Sequence, residues 1–151
     1  MKTPTLGNPK GVSMNAIKAV LESWQQAVVD ENLDKIMNHY SDDIVSFDAV
    51  KALHIVGKPN YTDHWKYCMQ LCGGGIIFEI HQLNIQHSGD LAFCHYLSRC
   101  GSVQDFGNEN VGWMRATVCM RHQNGEWKIA HEHFSSPFDP ESGKAIFDAQ
   151  P

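Results

Sequence analysis

His131-Glu132-His133, inside the stretch WKIAHEHFSSP at residues 127–137, sets two imidazoles either side of a carboxylate near the end of the chain. On a strand, alternate residues face opposite sides, so His131 and His133 would stand together and Glu132 would face away from them. Three readings are open. The imidazoles are half of a zinc site, Glu132 is an acid or base, or the histidines are a hydrogen-bonded pair on the back of a sheet. Zinc needs at least a third ligand, commonly Asp, Glu or His. His95 is of the right type, but no spacing selects it. With two ligands assignable, the reading adopted is no metal and no cofactor. A carboxylate in an apolar surrounding, by contrast, has a raised pKa suited to proton transfer.

The elements that must position these groups follow from hydrophobic period. Ile17, Val20, Leu21, Trp24, Ala27 and Val28 recur at helical intervals, which predicts a helix from about Ser13 or Asn15 to Asp30. Leu33, Ile36, Met37 and Tyr40 form one stripe of a second short helix, ended by a turn at Ser41-Asp42-Asp43. IVSFDAV, residues 44–50, is a short strand, with Asp48 where a carboxylate commonly bonds its own backbone. Tyr61, Trp65, Cys68, Met69 and Cys72 share a face of a third helix, stopped by Gly73-Gly74-Gly75. Four strands follow, at about residues 76–87, 91–103, 111–122 and 126–136, separated by Ser88-Gly89-Asp90, a polar loop at Gln104–Asn110, and Asn124-Gly125. A change of apolar parity between Ile80 and Leu83 predicts a bulge in the first of them.

Helices followed by antiparallel strands make an α+β plan. One domain at 13–138 is expected, between a flexible tail at 1–12 and a C-terminal tail at 139–151 with at most a turn of helix.

Composition excludes several partners. The 12 basic and 17 acidic residues give a formal charge of −5 without a basic cluster, which argues against a nucleic-acid ligand. No apolar run approaches the ~20 residues of a membrane span, and the start has no apolar signal region. The five cysteines, Cys68, Cys72, Cys94, Cys100 and Cys119, include no C-x-x-C pair and read as reduced thiols of a cytoplasmic protein.

Taken together, YSDDIVSFDAV, VGKPNYTDHW and four strands ending GEWKIAHEHFSSP resemble the nuclear transport factor 2-like superfamily. The resemblance is to its SnoaL-like and ketosteroid-isomerase-like group and to the calcium/calmodulin-dependent protein kinase II association domain. It spans about Ala16 to Pro137 and implies a cone: a strongly bent, mostly antiparallel sheet wrapped around N-terminal helices and enclosing a pocket. This fold hosts many activities, so the resemblance bears on fold more than on chemistry. It places Asp48 where the isomerase has its general base. The isomerase's oxyanion-hole positions fall on Trp24 and near Thr117, so steroid isomerisation is not implied. A third pocket aromatic falls on Trp65. Two arginines of the association-domain pocket fall on Ser98 and Phe134, so its acid-binding character is not inherited.

Which face of the last strand lines the pocket depends on the hairpin. A two-residue Asn124-Gly125 turn puts Thr117 opposite Glu132, with Arg115 a diagonal step away. A three-residue turn slips the register by one, and Arg115 and Thr117 then share a face with His131 and His133. For Arg115 two roles stay open: an ion pair with Glu132 or Asp48, or contact with an acidic ligand. In the relatives, pocket residues on this strand have the parity of Ala130, Glu132 and Phe134. On that parity Tyr96 and Ser98 would face Glu132 from the neighbouring strand.

The expected function is binding of a small, largely apolar ligand, with proton transfer leading to isomerisation, dehydration or cyclisation. Asp48 or Glu132 would be the base and Tyr96 the donor to the developing oxyanion. Trp24, Tyr61, Trp65, Ser98 and Phe134 would line the pocket. The alternative is a non-catalytic ligand-binding or oligomerisation module. A homodimer through the outer sheet face is expected in either case.

Overall fold

The computed structural model describes residues 9–103 and 109–151. Residues 1–8, and 104–108 of the expected polar loop, lie outside the described residues. Helix α1 (Pro9–Val29) starts four residues ahead of the expected Ser13, so 9–12 of the expected tail are helical. Its stripe of Ile17, Leu21, Trp24, Ala27 and Val28 is buried, as the three- and four-residue spacing requires. Helix α2 (Leu33–Asn38) is capped by Asn32, whose side chain accepts from the Lys35 N–H at 3.1 Å. Helix α3 (Lys58–Gln70) starts after Gly57, at φ 86°, with a proline in its first turn, and gives way before the three glycines.

The strands are β1 (Tyr40–Phe47), β2 (Ile55–Val56), β3 (Ile76–Ser88), β4 (Leu91–Val103), β5 (Glu109–Gln123) and β6 (Glu126–Ser135). They form one sheet in the order β2-β1-β6-β5-β4-β3. β1 and β6 run parallel and every other neighbouring pair is antiparallel. Helix α1 packs on β3 and α3 packs on β1, so the apolar core lies between the helices and one sheet face. This is the α+β cone.

Two expectations need correction at the start of the sheet. Tyr40 does not close a helical stripe; it opens β1, and Ser41-Asp42-Asp43 are strand rather than turn. Asp42 and Asp43 are exposed on the strand, where Asp43 meets Arg121 at 3.2 Å and Asp42 meets Lys58 at 3.6 Å. The C-terminal tail holds no helix. It returns along β5 instead, with Phe138 bridging to Ala145 and the Trp113 N–H donating to the Phe147 carbonyl at 2.9 Å. The bulge expected in β3 is present as a register shift between His81 and Asn84, with Gln82 at φ 54°.

The β5–β6 hairpin combines features of both registers that were open. Gln123 pairs with Glu126, so Asn124-Gly125 is a two-residue turn, and the positive φ of both, 51° and 80°, makes it type I′. The register then shifts between Cys119 and Met120, because Ala130 is an extra residue on β6. Beyond it Val118 pairs with Glu132 and Thr117 with His133, the pairing a longer turn would have given. Trp127 and Ile129 are buried before the bulge, and Glu132 and Phe134 are buried after it. Strict alternation would have put these two pairs on opposite faces. The extra residue brings them to the same one, with His131 and His133 outside.

A Cβ on Gly125 would meet nothing within 4 Å, so substitution there tests backbone conformation alone. Gly125→Val is expected to cost roughly 1–2 kcal/mol, the penalty of a left-handed L-residue. Urea unfolding should show a lower midpoint at unchanged slope.

Candidate active site

Glu132 is completely buried. One of its oxygens, Oε1, accepts from the Tyr40 hydroxyl at 2.6 Å and from the Tyr61 hydroxyl. Tyr40 in turn accepts from the Trp24 indole N–H at 2.9 Å. Four elements thus meet at one carboxylate: β6, β1, α3 and, through the indole, α1. Its other oxygen, Oε2, has no hydrogen-bond partner among the described residues. Burial pushes the Glu132 carboxyl up to about 7, although the Tyr40 and Tyr61 hydrogen bonds pull it down; the charge of Asp48 adds to the rise. Burial also raises the Tyr40, Tyr61 and Tyr96 hydroxyls well above their ordinary value, so all three are neutral at physiological pH.

Tyr61 connects this cluster to a cavity of about 220 Å³ between α1, α3 and the sheet. The walls are apolar, with Val28, Trp65, Met69, Phe78, Met114 and Phe134 among them, and the described lining includes no Lys or Arg. Gly101 is also in the wall, where a Cβ would run into the Asn110 carbonyl of β5. The charged interruption is a pair. Asp48, the first residue after β1, bonds through Oδ2 to Nε2 of His64 on α3. Cys68, one helical turn beyond His64, has its Sγ 3.5 Å from the same nitrogen. Burial, with the nearby Asp48 charge, pushes the Cys68 thiol up to about 12, so it is a thiol rather than a nucleophilic thiolate. A second hollow of about 560 Å³ lies by Phe93, Cys119, Arg121 and His131 and contains neither Asp48 nor His64.

Of the residues singled out from sequence, Asp48, Tyr61, Trp65 and Phe134 line the cavity. Glu132 sits behind it, reached through Tyr61. Trp24 is buried, edge-on to Trp65 and Phe78 and stacked on Phe134 at 6.4 Å between ring centres. It supports the wall rather than forming it. Tyr96 and Ser98 are buried in β4 and are not in the wall; the Tyr96 hydroxyl bonds neither Glu132 nor any other described group.

Arg115 is on the outside, donating to the Ser135 hydroxyl at 3.2 Å, so neither the ion pair with Glu132 nor that with Asp48 forms. His131 bonds the Val45 carbonyl at 2.7 Å, and the Phe47 ring packs edge-on to both histidines. His95 pairs with Thr117, which pairs with His133. Among the described residues, His95, His131 and His133 do not come together as a group of three ligands.

Sequence reasoning missed His64, Cys68 and Tyr40. His64-x-x-x-Cys68 has the spacing that stacks two side chains on one helix face, on the same helix as Tyr61 and Trp65, and was the available signal. Tyr40 was hidden by its match to the preceding helical stripe.

A bent sheet closed by helices over an apolar cavity defines this as a cone-fold protein of the nuclear transport factor 2-like type. The family model for the SnoaL-like domain matches residues 17–139, and the chain belongs to that family. It is similar over 93% of its length to an NTF2-like protein of unknown function from Pseudomonas putida KT2440, with 46% identity, a TM-score of 0.87 and 98% of that chain covered. A ketosteroid isomerase-like protein from Erwinia carotovora atroseptica shares the fold at 20% identity and a TM-score of 0.68, over 83% of this chain and 98% of that one. So does a Xanthomonas campestris protein provisionally named a calcium/calmodulin-dependent protein kinase II association domain, at 18% identity and a TM-score of 0.70, over 93% and 94%. Comparison with curated proteins returns no match. No helix among the described residues is long and apolar enough to cross a membrane.

The raised Glu132 carboxyl makes stability depend on pH. Its folded value, about 7, lies above the ordinary 4.5, so the folded protein keeps a proton that the unfolded chain has lost across that window. The contribution is complete below the lower value and is lost as pH rises through the upper one, up to about 3 kcal/mol. Urea unfolding of the wild type should therefore show stability falling across this window, and Glu132→Gln should flatten that slope. An unchanged slope would place the proton elsewhere.

Proposed function

We propose that the chain binds a small, largely apolar organic molecule in the 220 Å³ cavity and moves a proton on it, with His64 as the base and Asp48 holding its imidazole. The observation that carries this reading is the imidazole–carboxylate pair in a wall that is otherwise apolar. With Nε2–H donating its hydrogen bond to Asp48, Nδ1 keeps a lone pair and can accept a proton. Water is largely excluded, since the His64 and Asp48 side chains are 11% and 15% exposed. The Trp65 indole is in the same wall and its buried N–H has no partner among the described residues, so it is the donor we assign to an oxygen of the ligand. Proton removal next to a carbonyl, leading to isomerisation, dehydration or cyclisation, is the chemistry that such a set performs.

The ligand's size and charge follow from the walls. The volume is below the ~300–1,000 Å³ usual for drug-sized molecules, so one ring or a compact bicycle fits. With no Lys or Arg in the described wall, a carboxylate or phosphate would find no permanent cation there.

A panel of small cyclic ketones and enones incubated with protein in D2O tests this by mass spectrometry. Protein-dependent deuterium uptake is expected, falling roughly 100-fold or more in His64→Gln. Asp48→Asn should lower it as well, and Met69→Trp, which fills the cavity, should abolish binding. Uptake that survives His64→Gln would overturn the assignment of the base.

The outer sheet face, where Phe93 and Phe47 are 44% and 40% exposed beside His131 and His133, is where two copies would pair. A dimer is expected by sedimentation at micromolar concentration, and Phe93→Glu should convert it to monomer. A wild-type monomer would count against it.

A further inference from the structure

Three side chains with three kinds of donor atom converge on the cavity wall. One ligand atom each from Asp48, His64 and Cys68 lies within 4.8 Å of the others. Their arrangement on the imidazole is informative. A catalytic relay uses both ring nitrogens, one for the carboxylate and the other for the nucleophile. Here Asp48 Oδ2 and Cys68 Sγ both lie against Nε2, so three potential ligand atoms share one region of space.

We propose that Asp48, His64 and Cys68 form a site for one divalent cation of the zinc class, with its remaining coordination position open to the cavity. Imidazole nitrogen, thiolate sulfur and carboxylate oxygen form a donor set that suits zinc, and three protein ligands plus an open position is the pattern of a reactive rather than a structural site. Charge supports the assignment. A thiolate and a carboxylate together neutralise a dication, so the loaded site carries no net charge in its apolar cavity. The scaffold fixes two ligands one turn apart on α3 and the third at the end of β1. Binding through Nε2 moves the imidazole proton to Nδ1 and releases the proton of the Cys68 thiol.

The inference goes beyond the proton-transfer reading and does not rest on it. With the ion bound, His64 is a ligand, and a molecule in the cavity meets the open coordination position instead of the imidazole. The site also departs from the metal-free expectation drawn from sequence, which weighed only His131, His133 and His95.

The test is a Co2+ titration of untagged protein stripped with a chelator. One cobalt per chain is expected, with tetrahedral visible bands, a near-ultraviolet thiolate-to-cobalt band, and displacement by one equivalent of Zn2+. Cys68→Ser should lose the thiolate band. His64→Gln should weaken binding at least about tenfold, the least that loss of even an outer-shell partner costs. Cys72→Ser, in the same wall but outside the cluster, should leave the spectrum unchanged.

X-ray absorption on zinc-loaded wild type reads the ligands without any variant having to fold, and should show one sulfur among nitrogen and oxygen donors. Absence of saturable binding, a thiolate band that survives Cys68→Ser, or a zinc shell with no sulfur or several would overturn the proposal. Deuterium uptake measured on the stripped protein reports the proton-transfer reading separately.

Discussion

A carboxylate shut away from water has to find its hydrogen bonds inside the protein, and Glu132 finds them on two other elements. Tyr40 comes from β1 and Tyr61 from α3, and the Trp24 indole extends the chain to α1. Removing one hydroxyl would leave a charge or a proton poorly served in a medium that cannot replace the bond. The helices are therefore attached to the sheet by a polar network as well as by apolar packing. That network fixes where α3 lies, and α3 carries His64, Trp65 and Cys68 into the cavity wall. The geometry of the candidate site depends on an interaction outside the cavity.

This division explains why the two acidic residues differ in character. Asp48 is at the end of a strand, has an imidazole against it, and borders the cavity. Glu132 is in mid-strand with only hydroxyl donors, and burial outweighs them in setting its pKa. Similar carboxylates therefore take different tasks according to what is packed on them. The cavity receives its polarity from Asp48 and His64, while Glu132 acts on it through the Tyr61 ring.

Much of this was legible in the chain. The period of α1 marks each of its described buried residues, Asn124-Gly125 reads as a tight hairpin, and the order of elements gives the α+β plan. Other features were not, for reasons that are physical. Tyr40 continues the Leu33-Ile36-Met37 stripe, and a strand beginning two residues after a helix leaves no break in that pattern. The extra residue at Ala130 has no marker of its own, since alanine suits a bulge and a regular strand alike. His64 is invisible to hydrophobic period because it is polar, and its pairing with Asp48 crosses 16 residues and two elements. Local pattern specifies elements; it does not say which polar groups the fold will bring face to face.

The residue at 130 has a consequence for how the interior of such a protein can change. Ahead of it β6 is in phase with its hairpin; after it the strand is in the opposite phase. Were Ala130 drawn into the ladder instead of left unpaired, each neighbouring side chain would stay chemically intact while exchanging inside for outside from 131 onward. Two imidazoles would enter the core and the carboxylate would face solvent. Making or flattening a bulge in one strand, rather than replacements at the site, is then a short evolutionary route between cones with acidic interiors and cones with basic ones.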